Sequence, residues 1–295
     1  MTRVPAWLTF RRYAAFVTGM TLTLVMLGIY TAASGSGLAC AQQWPLCDGG
    51  VLPRTIPSFI EWFHRLWAMI TGFLILGVAA WAWRAGQSPR TRWAATVATV
   101  LTPMQAVLGA VTVTFNGRLP GGYSAPVHAA HFLVGFAIFV GLADATLTAY
   151  EGRYRRNRVE RTRLALDVAL GGLLAGTVLS RLPPLLAYDP WAQALFYGVS
   201  LAAFGALLGA VRWLGGRDGG GPGRAGRGRL RWAVGVAAGL LFVAMVLGRD
   251  LVFYTATVGL VNAAVVVAAL ALVAGARWRL RDDGAASDST ASVSD

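Results

Sequence analysis

The sequence predicts an all-α membrane protein: eight transmembrane helices arranged as two pseudo-repeated four-helix bundles, with both termini cytoplasmic. Three observations predict it. First, the 295 residues are 56% hydrophobic and only 13% charged. Second, apolar runs of about 20 residues follow one another, each long enough to cross ~30 Å of hydrocarbon. Third, the arginines alternate from loop to loop.

The expected spans are 13–33, 57–83, 93–115, 126–149, 164–182, 191–211, 232–248 and 254–275. One set of connections holds twenty-one arginines: Arg3, Arg11 and Arg12 before span 1, Arg84, Arg90 and Arg92 after span 2, six between Arg153 and Arg163, six between Arg212 and Arg231, and Arg277, Arg279 and Arg281 at the end of span 8. The opposite loops hold Arg54, Arg118, Arg181 and Arg249. Cytoplasmic loops retain positive residues, so this bias sets eight crossings and cytoplasmic termini, in the cell (plasma) membrane.

The formal net charge is +13, and every one of the 26 basic residues is Arg. Nucleic-acid binding needs that charge gathered on one face. Here it is spread over short loops between apolar spans, which excludes nucleic acid and leaves the lipid bilayer as the partner. Span 1 ends in Ala32-Ala33-Ser34-Gly35-Ser36, which could mimic a signal-peptide cleavage site. Its apolar stretch exceeds the roughly 7–15 residues of a signal core, so span 1 reads as a retained helix.

The long basic loop after residue 150 divides the chain into an N-terminal four-helix half, 1–150, and a C-terminal half, 151–281. Gln105-Ala106-Val107-Leu108-Gly109 in span 3 echoes Ala244-Met245-Val246-Leu247-Gly248 in span 7, a short match that fits duplication. Residues 214–231 are rich in Gly and Arg and read as a flexible linker. Residues 282–295 are Asp, Ser and Ala without apolar periodicity and read as a disordered tail.

Chemistry concentrates in the N-terminal half. All 3 histidines lie there. His64 follows Pro57 by seven residues and His131 follows Pro126 by five, on spans that start on the same side. At ~1.5 Å of rise per residue, both imidazoles lie roughly 7–11 Å below their helix starts. Equal depth on two helices is what a bis-histidine haem site requires, in a bundle that holds a cofactor between facing helices. His128 is one turn shallower than His131, at the interface, and suits a water or propionate contact. A zinc site built from two His and Glu61 is the alternative. Copper would more often recruit Met or Cys.

Glu61 shares a helix face with His64, three residues on. An ionisable residue inside a membrane helix is a functional candidate by default. Ser58-Phe59-Ile60-Glu61 also fits a capping box, and Glu61 could pair with Arg65. Cys40 and Cys47 are the only cysteines, both in the exported loop between spans 1 and 2. That compartment favours a disulfide. Free thiols in redox exchange, or a thiolate contact to substrate, are the other readings. Asp144 and Asp167 fit local ion pairs with arginines, Gln105, Thr112 and Thr114 fit interhelical hydrogen bonds, and Trp62, Trp67, Trp81 and Trp83 fit aromatic belts.

At these residues the chain resembles the haem A synthase family. The resemblance rests on Ser36-Gly37-Leu38-Ala39-Cys40, Trp44-Pro45-Leu46-Cys47, Glu61-Trp62-Phe63-His64-Arg65, Gln105 to Gly109, and Pro126 five residues before His131. It implies oxidation of the C8 methyl of haem O to a formyl group, giving haem A for terminal oxidases. His64 and His131 would be axial ligands, Glu61 would assist oxidation or proton removal, and Arg65 would pair with a propionate. The Cys40–Cys47 pair would brace or regulate the mouth. The family's usual second histidine pair, for a b-type haem, has no counterpart, because no histidine follows His131. The corresponding stretches read Trp191 to Tyr197 and Phe253 to Thr257. A second haem is therefore expected to be absent, and a partner such as haem O synthase or another redox protein would supply what is missing. The alternative is a b-type cytochrome-like electron-transfer protein on the same fold, without methyl oxidation.

Overall fold

The computed structural model describes residues 7–40, 43–114, 125–154, 156–181, 189–215, 224–248 and 255–291. Arg3, Arg118, Arg155, Arg217, Arg249, the glycine run of the expected linker, Phe253 and Tyr254, and residues 292–295 lie outside them. Among the described residues the structure is all-helical, with eight helices long and apolar enough to cross a membrane. They are α1 (Phe10–Ala33), α2 (Ile56–Arg84), α3 (Pro89–Thr114), α4 (Ala125–Ala149), α5 (Arg158–Arg181), α6 (Pro190–Leu214), α7 (Arg224–Val246) and α8 (Ala256–Ala291), with a single 3-10 turn at Ser36–Leu38. This is the architecture of a multi-pass membrane protein.

Two helices reach furthest beyond their expected spans. α7 begins at Arg224, inside the expected linker, and α8 continues from the expected end at 275 through Asp282 to Ala291, where the composition suggests an unstructured tail. Extending a helix that already exists avoids the cost of nucleation, and Ala and Arg are good helix formers. Composition reports neither effect.

The chain separates into two compact units, Met1–Arg153 with Leu186–Gly198, and Tyr154–Leu185 with Val199–Asp295. The first turns of α6 thus group with the first four helices. In that first unit α1 packs on α2 and α4, and α3 packs on α2 and α4. α2 and α4 therefore occupy diagonal corners of the bundle rather than adjacent ones.

The main apolar cluster of this unit lies towards the arginine-rich end. It comprises Phe10, Ala14 and Val17 of α1, Ile75, Val78, Ala79 and Ala82 of α2, Ala95 and Ala98 of α3, and Ile138 and Leu142 of α4. Small residues let backbones approach there: a Cβ on Gly141 would sit 3.1 Å from the Ala94 carbonyl. α2 closes at this end in a Schellman turn. Gly86 takes φ +57°, and the Gln87 N–H returns to the Ala82 carbonyl at 3.1 Å. Asp144 accepts two hydrogen bonds from Arg90 at 2.9 and 2.7 Å, which is the local ion pair its position suggests. In the second unit Asp167 does the same with Arg277, and α7 and α8 are tied by Asn262 Nδ2, which donates to the carbonyls of Ala244 and Leu247.

Candidate functional site

The opposite end of the first unit carries the polar groups. α2 brings Glu61, His64 and Arg65 there, and its start is set by Thr55. The Thr55 hydroxyl accepts the Ser58 N–H at 3.2 Å, with Pro57 in the first turn. The capping box expected at Ser58 and Glu61 is therefore not formed, because the helix begins three residues earlier. Ser58 is buried and its hydroxyl bonds to the Ala39 carbonyl (3.0 Å) and Asp48 (3.1 Å). Measured along the axis, His64 lies eight residues into α2 and His131 six residues into α4, about 12 and 9 Å.

Glu61 is 5% exposed. Freed from capping, it accepts a 2.8 Å bond from Arg65 Nε. Arg65 Nη1 donates to the carbonyls of Gln43 (2.9 Å) and Leu46 (3.1 Å). Those carbonyls belong to the loop closed by the Cys40–Cys47 disulfide, with S–S 1.99 Å and both cysteines buried. The disulfide reading thus holds, and the free-thiol readings do not. One guanidinium ties the disulfide-closed loop to the carboxylate on α2. Gly37, in the 3-10 turn, lies against Glu61 Oε2.

Each imidazole rests against a glycine on the neighbouring helix. A Cβ on Gly28 of α1 would come within 3.1 Å of His64 Cε1, and one on Gly109 of α3 within 3.3 Å of His131 Cε1. His131 Nε2 lies 3.2 Å from the side-chain nitrogen of Gln105 on α3. That is the interhelical bond expected of Gln105. Thr112 and Thr114 instead bond back to carbonyls of their own helix, Gly109 and Ala110.

Buried polar atoms are nearly always hydrogen-bonded. At this end five are not: His64 Nδ1, Arg65 Nη2, Trp67 Nε1, Gln105 Oε1 and His131 Nδ1. Among the described residues no group of three or more His, Cys, Asp and Glu could hold a bare metal ion. The zinc alternative therefore lacks its ligand set. Sequence reasoning missed Gly28, Gly109 and Thr55. Gln105 and Gly109 are four apart on one face of α3, inside a motif already singled out, and that spacing was the available signal.

A family profile described as cytochrome oxidase assembly protein (COX15-CtaA) matches residues 54–193. The stretch includes Glu61, His64, Gln105 and His131. The haem A synthase of Bacillus licheniformis is 35% identical over 140 residues, 45% of this chain and 44% of the relative. Over this stretch the chain is similar to haem A synthases. The haem A synthase of Shouchella clausii is also 35% identical, over 139 residues, 46% of this chain and 44% of the relative. A protoheme IX farnesyltransferase of Halobacterium salinarum is 33% identical over 199 residues, 65% of this chain and 42% of that protein. The chain thus spans less than half the length of these curated relatives.

Proposed function

We propose that the chain takes part in haem A formation as an oxidoreductase, converting the C8 methyl of haem O to a formyl group, with haem O as substrate and haem A as product. The observation that carries this reading is the pair of imidazoles on diagonal helices, each with a buried, unpartnered Nδ1, at the end of the bundle opposite its main apolar cluster. Diagonal corners set the two histidines on helices that face each other across the bundle interior, where a flat ligand would lie between them. The other unpartnered atoms fit a ligand with carboxylate arms: Arg65 Nη2 is the one guanidinium nitrogen left for a propionate. His128, one turn nearer the helix start, is placed for the same kind of contact.

Replacing a methyl by a formyl group consumes one water and releases four protons and four electrons. Glu61 is placed to take a proton, with Arg65 holding its carboxylate in position. Carboxylates work as general bases when held within reach of the proton they remove. The disulfide loop holds Arg65. The electrons pass to another redox protein, since no histidine after His131 provides a second haem ligand. In the second half, Asn262 spends its amide on α7 carbonyls, and we assign that half no haem. Similarity to a protein named protoheme IX farnesyltransferase supports haem O synthase as the upstream partner.

Both termini are assigned to the cytoplasm and the site to the outer leaflet of the plasma membrane, on the arginine distribution. The test is twofold. Purified protein should carry one six-coordinate haem per chain, and expression in a host lacking its own synthase should convert haem O to haem A. Bound haem without conversion would replace the enzyme by an electron-transfer cytochrome. Absence of haem would remove both.

A further inference from the structure

We infer that the two axial histidines are unequal: Gln105 fixes His131 as the permanent ligand, and His64 is the ligand that lets go. This rests on the haem reading above and deepens it.

His131 is tethered. One of its ring nitrogens, Nε2, meets the Gln105 carboxamide at 3.2 Å, and the other, Nδ1, is buried without a partner. As placed, the amide nitrogen donates, and Gln105 Oε1 is left buried without a donor. Turning the carboxamide over, which preserves its shape, offers the carbonyl oxygen to an N–H on that ring nitrogen. The remaining nitrogen then carries a free lone pair. Histidines that bind metals almost always donate their second N–H to such an acceptor, which fixes the ring and strengthens it as a ligand. Gln105 is in this sense a positioning residue. It reaches across from α3, and Gly135 of α4 leaves room for it: a Cβ there would lie 3.1 Å from the Gln105 nitrogen.

His64 has no such tether. It makes no hydrogen bond to the described residues, and its Cε1 edge lies against the bare backbone of Gly28. An imidazole held by packing alone swings away at lower cost than one that must also break a hydrogen bond. The release is a simple exchange: the iron–nitrogen bond opens, the nitrogen keeps its electron pair, and nothing is oxidised. The position it exposes lies on the side of Glu61, three residues before His64 on the same face of α2. The open coordination site and the carboxylate thus share one side of the substrate.

The test uses the full-length protein purified with haem bound, and reads haem content, absorption spectrum and carbon monoxide binding. His64→Gly should keep its haem in a five-coordinate, high-spin form that takes carbon monoxide readily and returns to six-coordinate when imidazole is added. His131→Gly should lose haem. Gln105→Leu should weaken haem affinity about 10–100-fold, the usual cost of removing a ligand's hydrogen-bond partner. Gln105→Glu, a stronger acceptor, should shift the reduction potential downward and Gln105→Leu upward. Monodispersity on size exclusion establishes that each variant has folded. Equal haem retention in the two histidine variants, or unchanged affinity and potential in both Gln105 variants, overturns the inequality alone. A wild-type protein without six-coordinate haem overturns the underlying haem reading, and the inequality with it.

Discussion

Arg65 donates to Glu61 across 2.8 Å, one turn back along α2, with side-chain exposures of only 15% and 6%. Breaking a buried ion pair by deleting one partner strands the other charge, at a cost of about 3–5 kcal/mol. Glu61→Ala should therefore lower thermal stability in detergent and abolish haem O conversion. Glu61→Gln should keep most of the fold, because the amide still accepts from Arg65, yet lose conversion. A Glu61→Gln protein that converts haem O at the normal rate would end the assignment of Glu61 as the base.

The Cys40–Cys47 bridge closes a loop of sequence separation 7, and a loop this short is worth about 2 kcal/mol by chain entropy. Its functional weight is larger, because Gln43 and Leu46 inside the loop supply the carbonyls that hold Arg65. Cys40→Ser and Cys47→Ser should each reduce conversion several-fold while haem remains bound, and reductant should reproduce the effect on the wild type. Unchanged turnover after complete reduction, checked by thiol labelling, would show that the loop holds Arg65 without the bridge.

Much of this was legible in the sequence, and what was not has definite physical causes. Arginine alternation reports the eight crossings, because the positive-inside bias acts on side chains that a sequence displays. Glu61, His64 and His131 stand out because ionisable groups are costly in apolar helices. The Arg65 contacts to Gln43 and Leu46 are invisible beforehand, because their acceptors are backbone carbonyls, which every residue possesses. Thr55 was overlooked as the N-cap because Ser58 and Glu61 offer a more conspicuous pattern three residues later. Gly28 and Gly109 look like any other helix glycine until a histidine is found against them.

Those glycines give a controlled experiment. Gly28→Ala would place a methyl 3.1 Å from His64 Cε1, tighter than ordinary contact, whereas a Cβ on Gly19 of the same helix meets nothing within 4 Å. Both changes gain helix propensity, by up to ~1 kcal/mol, so neither should impair folding. Gly28→Ala should perturb the low-spin haem spectrum and lower conversion. Gly19→Ala should match the wild type in both. Indistinguishable spectra for the two variants would mean that the Gly28 contact does not set the position of the His64 ring.

The remaining test separates the three histidines by depth and partner. His64 and His131 each carry a buried Nδ1 without a partner. His128 lies one turn closer to the start of α4 and is half-exposed. Complementation of a host lacking its own synthase should therefore fail with His64→Ala and with His131→Ala. His128→Ala should keep part of the activity, since a contact at the propionate level loses orientation rather than the bond to iron. The expected deficit for His128→Ala is about tenfold or less, the scale of one lost hydrogen bond of ~1 kcal/mol. If His128→Ala is as dead as His131→Ala while His131→Ala retains bound haem, the axial role on α4 belongs to His128.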